Sequence, residues 1–459
     1  MNFTPERAAI RFGCGLSPRH AAPASADDML ALLQGSDRAA TEFPIPGMDP
    51  VYALILRERA ARKEQKAATD EKAQQAALEK MKFERRASRK DAAKWLGQTL
   101  MRRSQTEDGF RERLVSFWAD HFTAQGKRSI LYIAPVNYAE EAIRPHVAGT
   151  FSDMLRAAIT HPLMLHYLDQ FRSVGPNSKA GKRNTDRGLN ENLARELMEL
   201  HTLGVDGPYT QFDVRQLAEL LTGLNFSMKE GFFFRSNMSD PGEKTVLGRH
   251  YTGSDDLEAV HAVLDDLAVH PATARHIASK LAVHFVGDQP DPALVEALEV
   301  RFNQTKGDLS AVYEVLLKHP AAWDLRPGNV KQPIDFIGSS LRALDLHARQ
   351  MPGEKLGKMQ KFFYNPLVLM GQKIGQPAGP DGWPEEDADW ISPQRLAARL
   401  QWAMFAPLRL RRSLPDPREF VDIALGPAAT EQVQFAAKAA ETRAEGVGIV
   451  LASAAFQRS

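Results

Sequence analysis

The stretch NENLARELMELHTLG, residues 190–204, has the pattern of a short helix and carries the densest group of polar side chains in the chain. Successive residues of a helix are about 100° apart, so one sector of this helix holds Asn192, Arg195, Glu196 and Glu199. Three leucines project from another sector, and Gly204 stands where a left-handed residue ends a helix. The stretch therefore predicts an amphipathic helix with one apolar and one charged face.

The charged face has two interpretations. Two carboxylates, a guanidinium and an amide on one stripe can bind a metal ion, a phosphate or a sugar. The same residues can also face water, because Arg195 has one glutamate four positions before it and another four positions after it, and such pairs stabilise a helix. Spacing alone favours the solvated face, since charged stripes on helices usually are exposed.

The composition is that of a soluble globular protein. The chain has 459 residues, of which 43% are hydrophobic and 25% are charged. Lysine and arginine number 58 against 57 aspartates and glutamates, so the overall charge favours neither nucleic acid nor an acidic substrate as a partner. The single cysteine, Cys14, excludes an intramolecular disulfide and a zinc site built from several thiolates.

The sequence also bears on localisation. Its N-terminus lacks a basic region followed by an apolar region, and no apolar run reaches the roughly 18 residues that span a bilayer. We therefore expect a cytoplasmic protein without a transmembrane segment. A start site assigned too far downstream would hide an export signal, and the protein would then be periplasmic.

Residues 51–103 form the most unusual segment. Positions 51–96 contain neither glycine nor proline, and the part from Arg57 to Lys90 holds 12 basic and 6 acidic residues. This composition predicts one long helix or two nearly collinear helices that protrude as a charged arm. Phe83 is the only aromatic residue between Arg57 and Lys90, so a solvated arm is favoured over a nucleic-acid or lipid contact, and no nucleic acid is expected as a partner.

The rest of the chain reads as helices separated by loops rich in glycine and proline. Residues 226–253 break the helical rhythm and allow at most a small β-hairpin. No period of 20 to 50 residues repeats. The predicted fold is all-α: a single large multi-helix domain over residues 1–459, with long irregular loops and the charged helical arm.

His121 is the outside candidate for a metal ligand. It follows Trp118 by three positions in the motif FWADHF, so the two side chains adjoin on one helical face. A histidine beside a buried tryptophan is more often a satisfied core residue than a ligand. The structural interpretation is therefore favoured for His121.

Short motifs along nearly the whole chain carry a resemblance to a known family. They are RFGCG (11–15), FWADHF (117–122), RPH (144–146), NENLARELMELHTLGV (190–205), YTQ (209–211), LTG (221–223), HP (270–271), GWP (382–384) and SAAFQ (453–457). On these motifs the chain resembles the bacterial DUF1800 family, whose name records an unknown function. Two departures are Ser239, where the family more usually has histidine, and the missing export signal that many relatives carry.

The resemblance changes the interpretation of the central helix. Its polar stripe belongs to the motif that identifies the family, which favours a buried or cleft-facing polar site over a purely solvated face. Charges in such a site must be satisfied internally, because an unpaired buried carboxylate is costly.

The first functional hypothesis is a ligand- or metal-binding protein with hydrolytic activity as one option. Its polar cleft is lined by the helix of residues 190–204. The catalytic candidates are Glu196, Glu199 and Arg195, and the candidate ligands of a divalent metal are Glu196, Glu199 and His121. The remaining candidate contacts to a ligand are Asn190, Asn192, Asp240, Lys244 and Trp383.

The second hypothesis is a scaffold without catalysis, in which the arm at 51–103 binds another protein. An accessible cleft at Glu196, Glu199 and Arg195 would favour the enzyme, whereas a closed, mutually paired network would favour the scaffold. The sequence leaves open whether the protein is an enzyme, which metal it binds if any, its oligomeric state and its partner.

Overall fold

The fold is described from a computed structural model of the chain. The structure describes residues 3–127, 129–183, 188–252, 257–324, 328–353 and 355–459. Over these residues the protein is built from helices, with two small antiparallel sheets of two strands each. The predicted all-α class is therefore confirmed.

The α-helices are numbered in chain order. Those up to residue 121 are α1 (Pro5–Arg7), α2 (Ala26–Gln34), α3 (Arg38–Glu42), α4 (Asp49–Ala67), α5 (Glu71–Gln105) and α6 (Gly109–His121). The next group is α7 (Ala134–Tyr138), α8 (Phe151–Thr160), α9 (Pro162–Tyr167), α10 (Lys179–Arg183), α11 (Asn192–Glu196) and α12 (Gln211–Leu220). Four helices follow the sheets: α13 (Leu257–Ala268), α14 (Pro271–Val286), α15 (Pro292–Thr305) and α16 (Leu309–Lys318).

The last part of the chain continues in the same manner. Its helices are α17 (Pro333–Ala343), α18 (Leu356–Met359), α19 (Asn365–Leu369), α20 (Asp387–Trp390), α21 (Pro393–Leu410), α22 (Pro417–Leu425), α23 (Glu431–Ala439), α24 (Arg443–Ala452) and α25 (Ala454–Gln457). π-helical turns occur at Ala8–Phe12, Ala139–Ile143, Leu197–His201 and Gln360–Tyr364. Short 3₁₀ turns occur at Ser129–Ile133, Arg144–His146, Gln170–Arg172, Pro320–Trp323, Ala348–Gln350 and Gly426–Ala428.

Two β-hairpins stand where the sequence analysis allowed at most one. β1 (Leu224–Ser227) pairs with β2 (Gly231–Phe234), and β3 (Lys244–Val246) pairs with β4 (Arg249–Tyr251). The second hairpin turns through Leu247 and Gly248, which both have positive φ. This is the backbone of a tight hairpin turn, but a leucine in its first position is not the usual sequence signal for one.

The charged arm is a helical hairpin, so the prediction of one long or two collinear helices is wrong. The chain reverses between α4 and α5, and Asp70 caps α5 by accepting a 2.8 Å hydrogen bond from the backbone N–H of Ala73. The two helices pack along each other. Ion pairs cross between them at Arg57–Glu84 (2.9 Å), Lys80–Glu64 (2.6 Å) and Arg85–Glu58 (3.1 Å).

A thin apolar stripe explains why the arm folds back. Ala61, Ala77 and Met81 are buried in a segment whose other side chains are mostly exposed. An isolated helix with this composition would leave these residues in water, whereas a hairpin covers them. Phe83 remains 69% exposed on the outside of the hairpin.

The buried apolar residues form two hydrophobic cores. The first draws on residues from Ala8 to Trp323, and the second mostly on residues from Ile334 to Phe456. Helix α5 contributes to both, since its Trp95 belongs to the first core and its Leu96 and Leu100 belong to the second. Helix α17 packs against α5, and the two cores meet along this seam.

A substitution at the seam tests this packing. A Cβ at Gly338 of α17 would lie 2.7 Å from Cδ and 3.0 Å from Cβ of Arg103 on α5. We expect Gly338→Ala to lower the free energy of unfolding by about 1–3 kcal/mol in urea denaturation, because two packed helices must separate.

Gly357→Ala is the matched control. Gly357 is an exposed helical position where a Cβ meets nothing within 4 Å. This variant should be neutral or slightly more stable than the wild type, since alanine is the better helix former. Equal stability of the two variants would contradict the described seam.

Candidate functional site

The central helix has the predicted position but an altered geometry. Helix α11 continues directly into the π-helical turn Leu197–His201, and Gly204 follows with φ of 88°. The extra residue in a π turn changes the direction of the side chains that follow it, and such turns are frequent at functional sites. Leu193 and Leu197 are buried, as the predicted apolar face requires.

Most of the charged stripe is paired with itself. Arg195 lies 3.1 Å from Glu199 and 3.5 Å from Glu191, the two i,i+4 partners that the sequence indicates. The guanidinium nitrogen that lies near Glu191 also donates to the side-chain oxygen of Gln211 at 2.9 Å. Arg195 therefore ties α11 to the start of α12, and its partly exposed contacts resemble a surface network.

Glu196 differs from its neighbours on the stripe. Burial raises the pKa of its carboxyl, and the charges of Glu199 and Asp381 raise it further. Asp381 belongs to the segment of residues 371–386, which we call the GWP loop because it contains the motif at 382–384. Burial and the charge of Glu196 raise the pKa of Tyr167, and the charge of the same Asp381 raises it further. The helix therefore approaches the GWP loop at Glu196.

Three of the other predicted contact residues, Asn190, Asp240 and Lys244, make contacts within the protein. The side-chain amide of Asn190 donates to the Leu168 carbonyl at 2.8 Å, and Asn192 is exposed. Asp240 and Lys244 form a buried ion pair of 2.9 Å. The structure does not bring this pair together with Glu196 in any contact that it describes.

His121 is a buried core residue, in agreement with the structural interpretation. Its Nε2 lies 3.2 Å from the carbonyl oxygen of His201, and Nδ1 of His201 lies 3.0 Å from the carbonyl oxygen of His121. Burial lowers the pKa of both, that of His201 to about 3, so both imidazoles are neutral.

The predicted metal ligands are not gathered into one cluster. Over the part of the chain that the structure describes, no group of three or more His, Cys, Asp or Glu side chains is arranged to hold a metal ion. Glu196, Glu199 and His121 therefore form no three-ligand set there.

The polar centre that the structure does assemble contains Asp120, which sequence analysis did not select. The backbone N–H of Trp383 donates to both carboxylate oxygens of Asp120, at 2.9 and 3.1 Å. Gly382 has φ of 88°, and a Cβ at that position would lie 2.7 Å from the Asp120 carboxylate. Only a glycine lets the GWP loop wrap this closely over the carboxylate.

Lys280 of α14 and Glu385 of the GWP loop surround the same carboxylate. Burial lowers the pKa of Lys280. The charges of Asp120, Glu385 and Asp381 partly offset this decrease. No carboxylate of the described residues is close enough to Lys280 Nζ for a direct ion pair. Glu385 instead pairs with Nδ1 of His284 at 2.8 Å.

The environment strongly perturbs the Asp120 carboxyl. Burial raises its pKa well above the ordinary value, and the nearby charge of Glu385 adds to this effect. Burial would also raise the pKa of Glu385, but His284 and Lys280 lower it overall. The two acids are therefore driven apart, one toward the protonated and one toward the ionised form, which is the pattern of acid–base sites.

Asp120 and Trp383 line a cavity of about 180 Å³ at the seam between the two cores. Other charged residues of its wall are already paired: Arg144 binds both oxygens of Glu112 at 2.9 Å, and Arg102 binds both oxygens of Glu140 at 2.6 and 3.1 Å. Asp120 has the backbone of Trp383 as its hydrogen-bond donor. It is therefore the acid of this wall that remains available to a ligand.

Two sequence signals pointed to these residues. Asp120 lies inside the motif FWADHF, next to His121, which the sequence analysis names as a candidate metal ligand. Lys280 is the only lysine in the largely apolar helix PATARHIASKLAVHFV, residues 271–286. The approach of residues 381–385 to both is a long-range contact that spacing along the chain does not reveal.

The fold and the site define an all-α protein with two cores and, between them, a largely apolar cavity whose wall holds the Asp120 carboxylate. The family model described as a protein of unknown function, DUF1800, matches residues 7–458, and the chain belongs to this family. No curated protein and no solved structure matches it. Within the described residues, every helix is too short or too polar to cross a membrane.

Asp120 predicts a specific dependence of stability on pH. The folded protein holds the Asp120 proton more tightly than the unfolded chain does. Below the ordinary pKa of an aspartate the carboxyl is protonated in both states and does not reduce the free energy of unfolding. As the pH rises above that value, ionisation favours the unfolded chain and the free energy of unfolding falls. Asp120→Asn removes this cost. We expect the variant to gain on the order of 1 kcal/mol over the wild type at about pH 7.5, and less at about pH 4.5, in urea denaturation.

The matched control is Asp389→Asn, an exposed acid of α20 whose charge is not among those that shift the pKa of Asp120. Its difference from the wild type should vary less with pH. A stability gain of Asp120→Asn that is equal at both pH values would contradict the described environment of Asp120.

Proposed function

We propose that the cavity at Asp120 binds a small polar molecule and that Asp120 and Lys280 act on it as an acid–base pair, most directly in hydrolysis. One observation carries the proposal. A carboxylate with one backbone N–H donor and no direct cationic partner among the described residues lies in the wall of a cavity whose neighbouring ion pairs are complete. Natural proteins retain such an uncompensated acid chiefly at functional sites.

The two groups divide the chemistry according to their surroundings. Burial favours the protonated form of Asp120, which can donate its proton to a leaving group while the backbone N–H of Trp383 holds the carboxyl in place. Lys280 lies beside Asp120 and is not among the residues that line the cavity. Its pKa is lowered by burial, so it either exchanges a proton with Asp120 or stabilises negative charge there. Glu385 supports both by keeping a negative charge beside them, anchored to His284.

The central helix contributes a boundary to this site. Glu196 approaches the GWP loop near Asp381, so a ligand that extends from the cavity toward α11 meets this carboxyl. Trp383 adds an indole ring at the cavity wall. In this proposal Glu196 and Trp383 contact the ligand, whereas Arg195 and Glu199 hold the helix in place.

The size and lining of the cavity limit the ligand. About 180 Å³ accommodates only a small molecule or one unit of a larger one. Ser116, Thr123, Gln332 and Gln372 provide hydroxyl and amide groups on the wall. These groups are already hydrogen-bonded within the protein, and the rest of the wall is largely apolar, so Asp120 is the polar group that selects the ligand.

The test is a set of chromogenic esters, glycosides and phosphate esters presented to the purified protein. We expect hydrolysis of at least one class, with kcat reduced by about 100-fold or more in Asp120→Asn and in Lys280→Met, because each removes an acid–base group. Arg195→Gln, which breaks a surface network near the site, is the matched control and should keep most of the activity. Hydrolysis that persists in the Asp120 and Lys280 variants would reject their roles.

A divalent metal stays a separate prediction for the carboxylates of α11. Metal content of the purified protein, measured by mass spectrometry, should fall in Glu196→Ala/Glu199→Ala if these residues bind an ion. The variant must keep its helical circular dichroism. Equal metal content in the two proteins would remove the metal from the proposal.

The helical arm supports the second candidate function, a protein scaffold. Phe83 is 69% exposed on a hairpin that is otherwise charged, and exposed aromatic residues are common anchors of protein contacts. In a pull-down with the purified protein as bait, we expect the wild type to retain a partner protein and Phe83→Ser to lose it. An unchanged set of captured proteins would speak against this use of the arm.

A further inference from the structure

A second, larger concavity lies along the seam on the side of the arm. It is a groove of about 550 Å³ between the middle of α5, the turn at Ser129–Ile133 with the start of α7, and the segment from α18 to Gln376. Its apolar lining is Ala92, Ala93, Trp95, Leu96, Tyr132, Ile133, Pro135, Val136, Leu356, Met359, Tyr364 and Ile374. Its size and its aromatic wall are those of small-molecule sites.

The charges of this groove have one sign. Arg85, Arg89 and Lys373 line it, and none of its described lining residues is acidic. Arg85 is partly engaged, because its Nε lies 3.1 Å from Glu58. Arg89 and Lys373 are exposed and have no ion-pair partner within the described residues. An apolar floor with two unpaired cations at its rim is complementary to a molecule with an apolar body and an anionic head.

We propose that this groove binds a free single-chain amphiphilic anion, namely a medium-chain carboxylate. The hydrocarbon chain lies against Trp95 and Met359, both of which are buried at the groove. The carboxylate lies at the rim, where Arg89 and Lys373 provide hydrogen-bond donors and positive charge. The aliphatic stems of both side chains cover part of the hydrocarbon.

The shape of the groove favours this occupant over a membrane surface. Membrane binding requires apolar side chains that protrude into the bilayer, whereas the apolar groups here line a concavity. The rim is formed by three cations rather than by the larger basic cluster that anionic lipid surfaces select. A detached chain with one charge matches both the volume and the charge of the groove.

The groove and the cavity at Asp120 share a wall. Both are lined by Leu96, Pro135, Val136, Ile374 and Gly375. The rim residues of the groove take no part in the Asp120 site, so the present proposal stands without the proposed acid–base chemistry. Failure of one does not entail failure of the other.

The test is direct binding of dodecanoate, below its critical micelle concentration, to the full chain by isothermal titration calorimetry. We expect saturable binding of one molecule per chain. Arg89→Glu/Lys373→Glu should weaken it roughly tenfold, since two favourable charge contacts become repulsive. Ala92→Trp, which fills the apolar floor, should abolish it. Dodecyltrimethylammonium should bind more weakly than dodecanoate.

Arg86→Glu is the matched control, because Arg86 is an exposed arginine of α5 that does not line this groove. It should bind dodecanoate as the wild type does, and all variants are checked for native circular dichroism. The proposal is overturned by an absence of saturable binding, by unchanged affinity in the rim variant, by equal binding of the cationic amphiphile, or by binding to anionic vesicles alone.

Discussion

The structure depends on a buried chain of polar contacts that crosses the seam between the two cores. Asp335 of α17 accepts a hydrogen bond from Nε of Arg103 on α5 at 3.1 Å and lies 3.8 Å from Nε of Arg113 on α6. Arg113 then contacts His284 at 3.4 Å, and His284 holds Glu385 at 2.8 Å. Burial would raise the pKa of Asp335, but the charges of Arg113 and Arg103 lower it overall. The Asp335 carboxyl therefore stays ionised, and its contacts with the two arginines are ion pairs. Loss of one member leaves a buried charge uncompensated, which is far more costly than the pair is worth.

This constraint also positions the cavity. The GWP loop is fastened at one end by Glu385 to His284 and in its middle by Trp383 to Asp120. Two helices of the first core therefore hold a segment that is covalently part of the second half of the chain. The resulting cavity is lined by both halves, in the manner of ligand sites between structural units. Asp120 is half-buried there without a direct cation, whereas the neighbouring carboxylates Glu112 and Glu140 have arginines.

Local features of the sequence were predicted more accurately than distant contacts. Helix α11 and the pairing of Arg195 with Glu199 follow from spacing alone, whereas the helical segment ends at His201, before the predicted Gly204. The reversal at Asp70 was missed because the arm has no glycine or proline, and only the burial of a few small apolar residues favours a hairpin. Asp120 was missed for another reason: its partner Trp383 is 263 positions away. A carboxylate acquires its pKa from such neighbours, which a pattern along the chain does not contain.

The sharing of α5 by the two cores has a consequence for the order of synthesis. Arg103 and its partner Asp335 are separated by 232 positions, so at ordinary rates of translation the ribosome needs on the order of ten to fifty seconds to complete the second after the first. Throughout this interval Leu96 and Leu100 lack the residues of the second core that later bury them. The nascent chain therefore carries an uncovered apolar strip until the residues of the second core have been made.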